Sequence, residues 1–170
     1  MLQAAGRLNL QRPEGSLVQQ VGEGEVGRNI NTRPLSQVFP HRSVYLPVIR
    51  GLLPEFLKVF DFPEPSNPAA SRSVTNVPTQ SLFLMNSPFV TEQAKAAGER
   101  VCGDHSDARQ RVEALWLHCL SRLPIDAERT MALEFVKNWQ APADDQTVAQ
   151  DAWSALAQSL MGSAEFRFVD

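Results

Sequence analysis

Ten of the chain's twelve prolines lie before Phe89, and this asymmetry restricts the fold more than any other feature. A proline inside a helix removes a backbone donor and clashes with the turn before it, and it biases the preceding residue toward extended backbone. Long helices are therefore expected only after Phe89, where Pro124 and Pro142 alone interrupt. Two earlier prolines are permissive. Pro78 and Pro88 can each occupy the first position of a helix, where the missing amide would be unpaired anyway. They frame a short helix over 78–86 and open a second at 88. In the first, Leu82, Phe83, Leu84 and Met85 are consecutive, so apolar groups point to every side, and a helix apolar all round belongs inside a protein. This short helix is expected to be a dry hub around which the rest packs.

From Pro88 onward the apolar period is helical. Val90, Ala94, Ala97 and Val101 fall at i, i+4, i+7 and i+11, one face of a helix ending near Gly103. Ser106 is the predicted N-cap of the next, whose stripe runs through Ala108, Val112, Leu115, Trp116, Cys119, Leu120 and Leu123 before Pro124 stops it. Asp126 is predicted to cap a third helix with Met131, Ala132, Phe135, Val136 and Trp139 inside. After a loop at 141–145, Ala149, Ala152, Trp153, Leu156, Ala157, Leu160 and Met161 define a fourth that Gly162 ends, and Phe166, Phe168 and Val169 form an extended tail. Short links imply antiparallel neighbours and a small bundle over 88–170.

The segment before Pro88 reads differently. Residues 1–5 resemble the last turn of a helix closed by a left-handed Gly6, and five residues cannot sustain a helix alone. The chain is accordingly read as one domain of a larger protein. Residues 11–40 are a Gly- and Pro-punctuated loop, partly disordered by expectation. Within and beyond it, 16–21 and 43–48 (S-V-Y-L-P-V) are two candidate strands of a minor hairpin, the second held to an edge by Pro47. Residues 42–90 form a proline-rich wrap leading to the hub. Pro54 opens a short helix to Phe60, and Asp61 with Pro63, Pro65 and Pro68 prevents its continuation. The expected fold is thus mainly α, with a small two-stranded β element.

Charge excludes one class of partner. Sixteen basic residues stand against nineteen acidic ones, a net charge of −3. Divided at Ser87, the first part carries +2 and the second −5. Neither is the basic footprint that nucleic-acid binding requires. No window has the length and apolarity of a membrane span, and Met1 is not followed by a signal-peptide pattern. Cys102 and Cys119 fall about 20 Å apart along the predicted second bundle helix at about 1.5 Å per residue, too far for a disulfide.

Three groups of residues could carry chemistry. Cys102, His105, His118 and Cys119 are the residue types of a zinc site, but His118 and Cys119 are adjacent on one helix and diverge by about 100°, against convergence on one ion. Cys119 is then core, and His118 belongs to the wet face. Glu55, Asp61 and Glu64, with Arg50 or Arg72, could form an acid–base pair, although such acids at short-helix ends more often serve as caps or ion pairs. Arg72, Thr75, Asn76, Thr79 and Gln80 flank the start of the 78–86 helix. They could line a small-ligand or partner pocket at its N-terminus, or cap that helix and satisfy carbonyls of the wrap, and the bonding role is preferred. Trp116, Trp139 and Trp153 lie on the inner stripes of three helices, which favours packing over a sugar-binding platform.

The block R-S-V-Y-L-P-V-I-R-G-L-L-P-E-F-L-K-V-F-D-F-P-E-P at 42–65 and V-T-N-V-P-T-Q-S-L-F-L-M-N-S-P-F-V at 74–90 resemble the planctomycete-type domain of unknown function numbered fifteen fifty-three. A-A-G-R-L-N-L at 4–10, R-L-P-I-D-A-E-R at 122–129 and A-W-S-A-L-A-Q-S-L-M-G-S-A-E-F at 152–166 extend the resemblance. It implies a C-terminal position in a large exported or periplasmic protein that also carries cytochrome-c-like regions, and it implies no activity. The haem-attaching C-x-x-C-H is absent from the sequence, so any haem is expected in upstream domains and no cofactor in this one. The functional expectation is a non-catalytic structural or docking module whose partners are the upstream domains of its own chain. The alternative is part of a hydrolase or oxidoreductase site, with polysaccharide as the candidate substrate, completed upstream.

Overall fold

The computed structural model describes residues 1–16, 18, 39–48, 53–63, 65, 75–139 and 152–168. Among them the chain is mainly helical, with α1 (Glu55–Val59), α2 (Pro78–Asn86), α3 (Pro88–Asp104), α4 (Ala108–Leu120), α5 (Asp126–Asn138), α6 (Ala152–Gly162) and α7 (Ala164–Arg167). The chain forms two compact units, Leu8–Phe83 and Met1–Arg7 with Leu84–Asp170.

In the larger unit α4 and α6 pack on each other and on both α3 and α5. Their shared core holds Ala94, Ala97 and Val101 of α3, Val112, Leu115 and Trp116 of α4, Ala132 of α5 and Trp153, Leu156, Ala157, Leu160 and Met161 of α6. Burying a side chain such as Leu115 contributes about 1.5–3 kcal/mol. The tightest crossing joins α3 to α6. A Cβ on Gly98 would lie 2.7 Å from the Ser154 backbone nitrogen and 2.8 Å from its Oγ, so only glycine lets the two backbones approach this closely. Residues 1–7 add a single turn to this unit. The Ala5 amide donates to the Met1 carbonyl and Gly6 takes φ +70°, as the sequence pattern predicts. Arg100 Nη1 fastens the turn by donating to the Ala4 carbonyl at 3.2 Å.

Several boundaries move. Asp107 caps α4, accepting from the Gln110 amide at 3.1 Å, because a carboxylate one residue beyond Ser106 is an equally good acceptor. That helix ends at Leu120 with Ser121 left-handed at φ 58°, which leaves Leu123 outside it and exposed. Ile125, not Asp126, occupies the N-cap of α5, and its amide is taken by Glu128 at 2.9 Å. Met131 is 70% exposed and does not line the inner face. The expected extended tail begins instead as α7, whose Ser163 hydroxyl accepts from the Phe166 amide at 3.2 Å.

In the smaller unit α1 follows Pro54, which serves as N-cap. Phe60 meets Phe83 edge to face at 6.0 Å between centroids. The Asn9 amide donates to the Pro40 carbonyl at 2.7 Å, and His41 Nδ1 lies 2.9 Å from the Gln11 carbonyl oxygen. Among the described residues, 43–48 form no strand of the expected hairpin. Ser43–Tyr45 is a single 3-10 turn with Val44 and Val48 exposed; the Tyr45 and Leu46 amides donate to the Arg42 and Ser43 carbonyls within the turn, and Pro47 has no amide to offer a ladder. Most of its expected partner at 16–21, most of the 11–40 loop and the 141–145 loop lie outside the described residues.

The short helix α2 has the predicted bounds, yet it is not a hub buried on every side. Leu84 is buried at 1% exposure, Phe83 is half-buried, and Leu82 and Met85 are 54% and 67% exposed. Successive helical positions diverge by about 100°, so four consecutive apolar residues cannot share one face. The buried face runs through Gln80 and Leu84, four residues apart.

Candidate functional site

The polar residues flanking α2 converge on Asp61. Val59 ends α1, Phe60 closes it, and Asp61 then adopts φ 57°, a left-handed conformation that a short acidic side chain tolerates. The turn aims its carboxylate at the start of α2. Both the amide and the hydroxyl of Thr75 donate to Asp61 Oδ2, at 2.8 and 2.7 Å. Gln80, 2% exposed, donates its amide to the Val59 carbonyl at 3.1 Å and also lies 3.3 Å from Thr75 Oγ1 and 3.4 Å from Asp61 Oδ2.

Two of the predicted binding residues, Thr75 and Gln80, are therefore brought together around Asp61, an acid for which a cap or ion-pair role is expected over an acid–base one. Asn76 and Thr79 are exposed. Arg72, with Arg50 and Glu64 of the proposed acid–base set, lies outside the described residues. Glu55 is the first residue of α1. The buried Gln80 amide donates to the carbonyl of Val59, the last residue of α1, and replaces a hydrogen bond that the proline-rich segment cannot supply.

The four thiol and imidazole groups do not assemble. Among the described residues no three His, Cys, Asp or Glu side chains are grouped to hold a metal ion, and Cys102 and Cys119 form no disulfide. Cys119 packs against the core, and burial pushes its thiol up to about 11. His118 is half-buried, not on a wet face. Its Nδ1 is buried without a partner, and burial, then the charge of Arg100, lowers its pKa.

A second polar cluster has no local sequence pattern, since its Arg122 and Glu165 are 43 residues apart. Arg122, in the turn between α4 and α5, donates to both carboxylate oxygens of Glu128 at 2.7 and 2.8 Å and from Nη2 to Glu165 of α7 at 2.8 Å. Glu128 also accepts from Trp116 Nε1 at 3.2 Å and from the Ile125 amide. The guanidinium bonds, opposed by partial burial, hold Glu128 down at about 2, and Arg122 lowers Glu165 as well. The local signal that could have been read is Glu128 three residues after the α5 N-cap, the acidic half of a capping box. Trp116 and Trp153 are buried, while Trp139 terminates α5 against Phe135 with ring centroids 5.2 Å apart.

Taken together these clusters define a mainly helical domain whose paired carboxylates and buried amides fasten its own elements. A family model described as "PSD1: Protein of unknown function (DUF1553)" matches residues 1–136, most of the chain. The chain belongs to that family, and α6 and α7 lie beyond the matched segment. No curated protein and no solved structure matches the chain. No helix among the described residues is long and apolar enough to cross a membrane.

Proposed function

We propose that this domain is a non-catalytic structural or docking module of a larger exported protein, in which cytochrome-like regions of the same chain are its partners. The observation that carries this reading is the closed bonding of the best polar cluster. The Gln80 amide, the Thr75 hydroxyl and the Asp61 carboxylate are engaged with one another and with the Val59 carbonyl, so their bonding capacity serves the fold. Supporting it, Leu117, Leu123, Ile125 and Met131 of α4, α5 and the turn between them carry large exposed apolar side chains, the kind of surface that partners cover. Export and the cytochrome association come from the family resemblance alone.

The test is to express the full-length protein and a version lacking this domain, then add the isolated domain back to the latter. Association measured by sedimentation should occur and should weaken at least about tenfold with Ile125→Asp and Met131→Asp together, the loss that removal of one well-buried contact gives. Haem content should be unchanged by deletion. Loss of a catalytic activity on deletion, restored by neither variant nor wild-type domain as a bound partner, would favour an active-site contribution instead.

A further inference from the structure

We propose that α7 is a strap that opens and closes on the bundle by itself, latched by Arg122 and driven open by Arg167. This inference does not depend on the docking reading. Four residues cannot hold a helix without tertiary contacts, so α7 stays in place through what it touches. Two contacts favour closure. Phe166 packs against the core, and the Glu165 carboxylate pairs with Arg122, which is itself fixed by Glu128. One contact opposes it. Nε and Nη1 of Arg167 are buried with no hydrogen-bond partner among the described residues; the guanidinium lies over the Phe168 ring at 5.3 Å from its centre, a cation–π contact that supplies no acceptor for those donors. A dehydrated guanidinium donor without an acceptor is costly, and opening returns it to water.

The hinge is equally local. A Cβ on Gly162 would meet nothing within 4 Å, and among the described residues Ser163 bonds to its neighbours at the end of α6 and in α7. Rotation there frees 164–168 while α3 to α6 keep their contacts. The closed state is thus a balance between an ion pair and an aromatic contact on one side, and two unpaired guanidinium donors with the entropy of ordering on the other.

Native-state hydrogen exchange of the 163–168 segment, read by mass spectrometry with α3 peptides as internal reference, tests this. Glu165→Gln and Arg122→Gln should each speed exchange in that segment by about tenfold. Arg167→Met, which removes the stranded donors and keeps an apolar stem, should slow it severalfold. In wild type, raising NaCl from 0.1 to 1 M (about 10 Å to 3 Å in screening length) should speed exchange, and Glu165→Gln should abolish that salt response. The proposal is overturned if 163–168 exchanges only in step with α3, or if Arg167→Met and Glu165→Gln shift exchange in the same direction.

Discussion

Gly98→Ala puts the α3–α6 crossing to a quantitative test. In an exposed helix this change stabilises by about 0.8–1.0 kcal/mol through helix propensity. Here the new methyl would lie 2.7 Å from the Ser154 nitrogen and 3.0 Å from its Cα. Both are backbone atoms of α6, so relief requires the helices to part by several tenths of an ångström. That movement loosens the contacts of Ala94, Ala97 and Val101 with the α6 residues of the same core. Overpacking of this kind costs about 1–3 kcal/mol, and a methyl pressed against two backbone atoms at 2.7 and 3.0 Å belongs to the upper part of that range, about 2–3 kcal/mol, which leaves a net loss of about 1–2 kcal/mol after the propensity gain. For a chain of this length the melting temperature should fall by about 2–4 °C per kcal/mol. Urea unfolding followed by tryptophan fluorescence measures the change directly. Adding Ser154→Gly should recover only part of it, because the α6 backbone remains in place. Gly103→Ala on the same helix, where nothing lies within 4 Å, is the control and should be neutral or stabilising. A Gly98→Ala protein as stable as wild type would refute the close approach of α3 and α6.

Three further outcomes are expected. Gln80→Ala should destabilise by about 1–3 kcal/mol in chemical denaturation, since the partly buried Val59 carbonyl loses its donor, whereas Asn76→Ala, at an exposed position, should change little. Glu128 is held at about 2 in the folded chain, below the 4.5 of a free carboxyl, so its contribution is complete above pH 4.5 and is lost as pH falls toward 2. After allowance for solvent screening this amounts to about 1–2 kcal/mol, and Glu128→Gln should flatten that part of a stability-versus-pH curve. Ser121→Gly should raise stability by about 1 kcal/mol, because Ser121 occupies the left-handed region at the end of α4 where glycine carries no steric cost. Equal or lower thermal stability of that variant would show that the conformation costs nothing there.

What the sequence by itself determined is local. Proline placement marks where α2 and α3 begin, Gly6 where the first turn closes, and Gly162 where α6 ends. The apolar periods of α3, α4 and α6 likewise name most of the core, from Val90 to Met161. These signals act within a few residues of one another, through backbone dihedrals and helical repeat. The tertiary structure alone decided which side of α2 is wet, because four consecutive apolar residues carry no directional pattern. It also decided that Asp61 holds Thr75 and Gln80, and that Arg122 reaches Glu165 on α7. Those bonds join residues 14 to 43 positions apart, and their partners are chosen by where the chain returns in space, which no local propensity encodes.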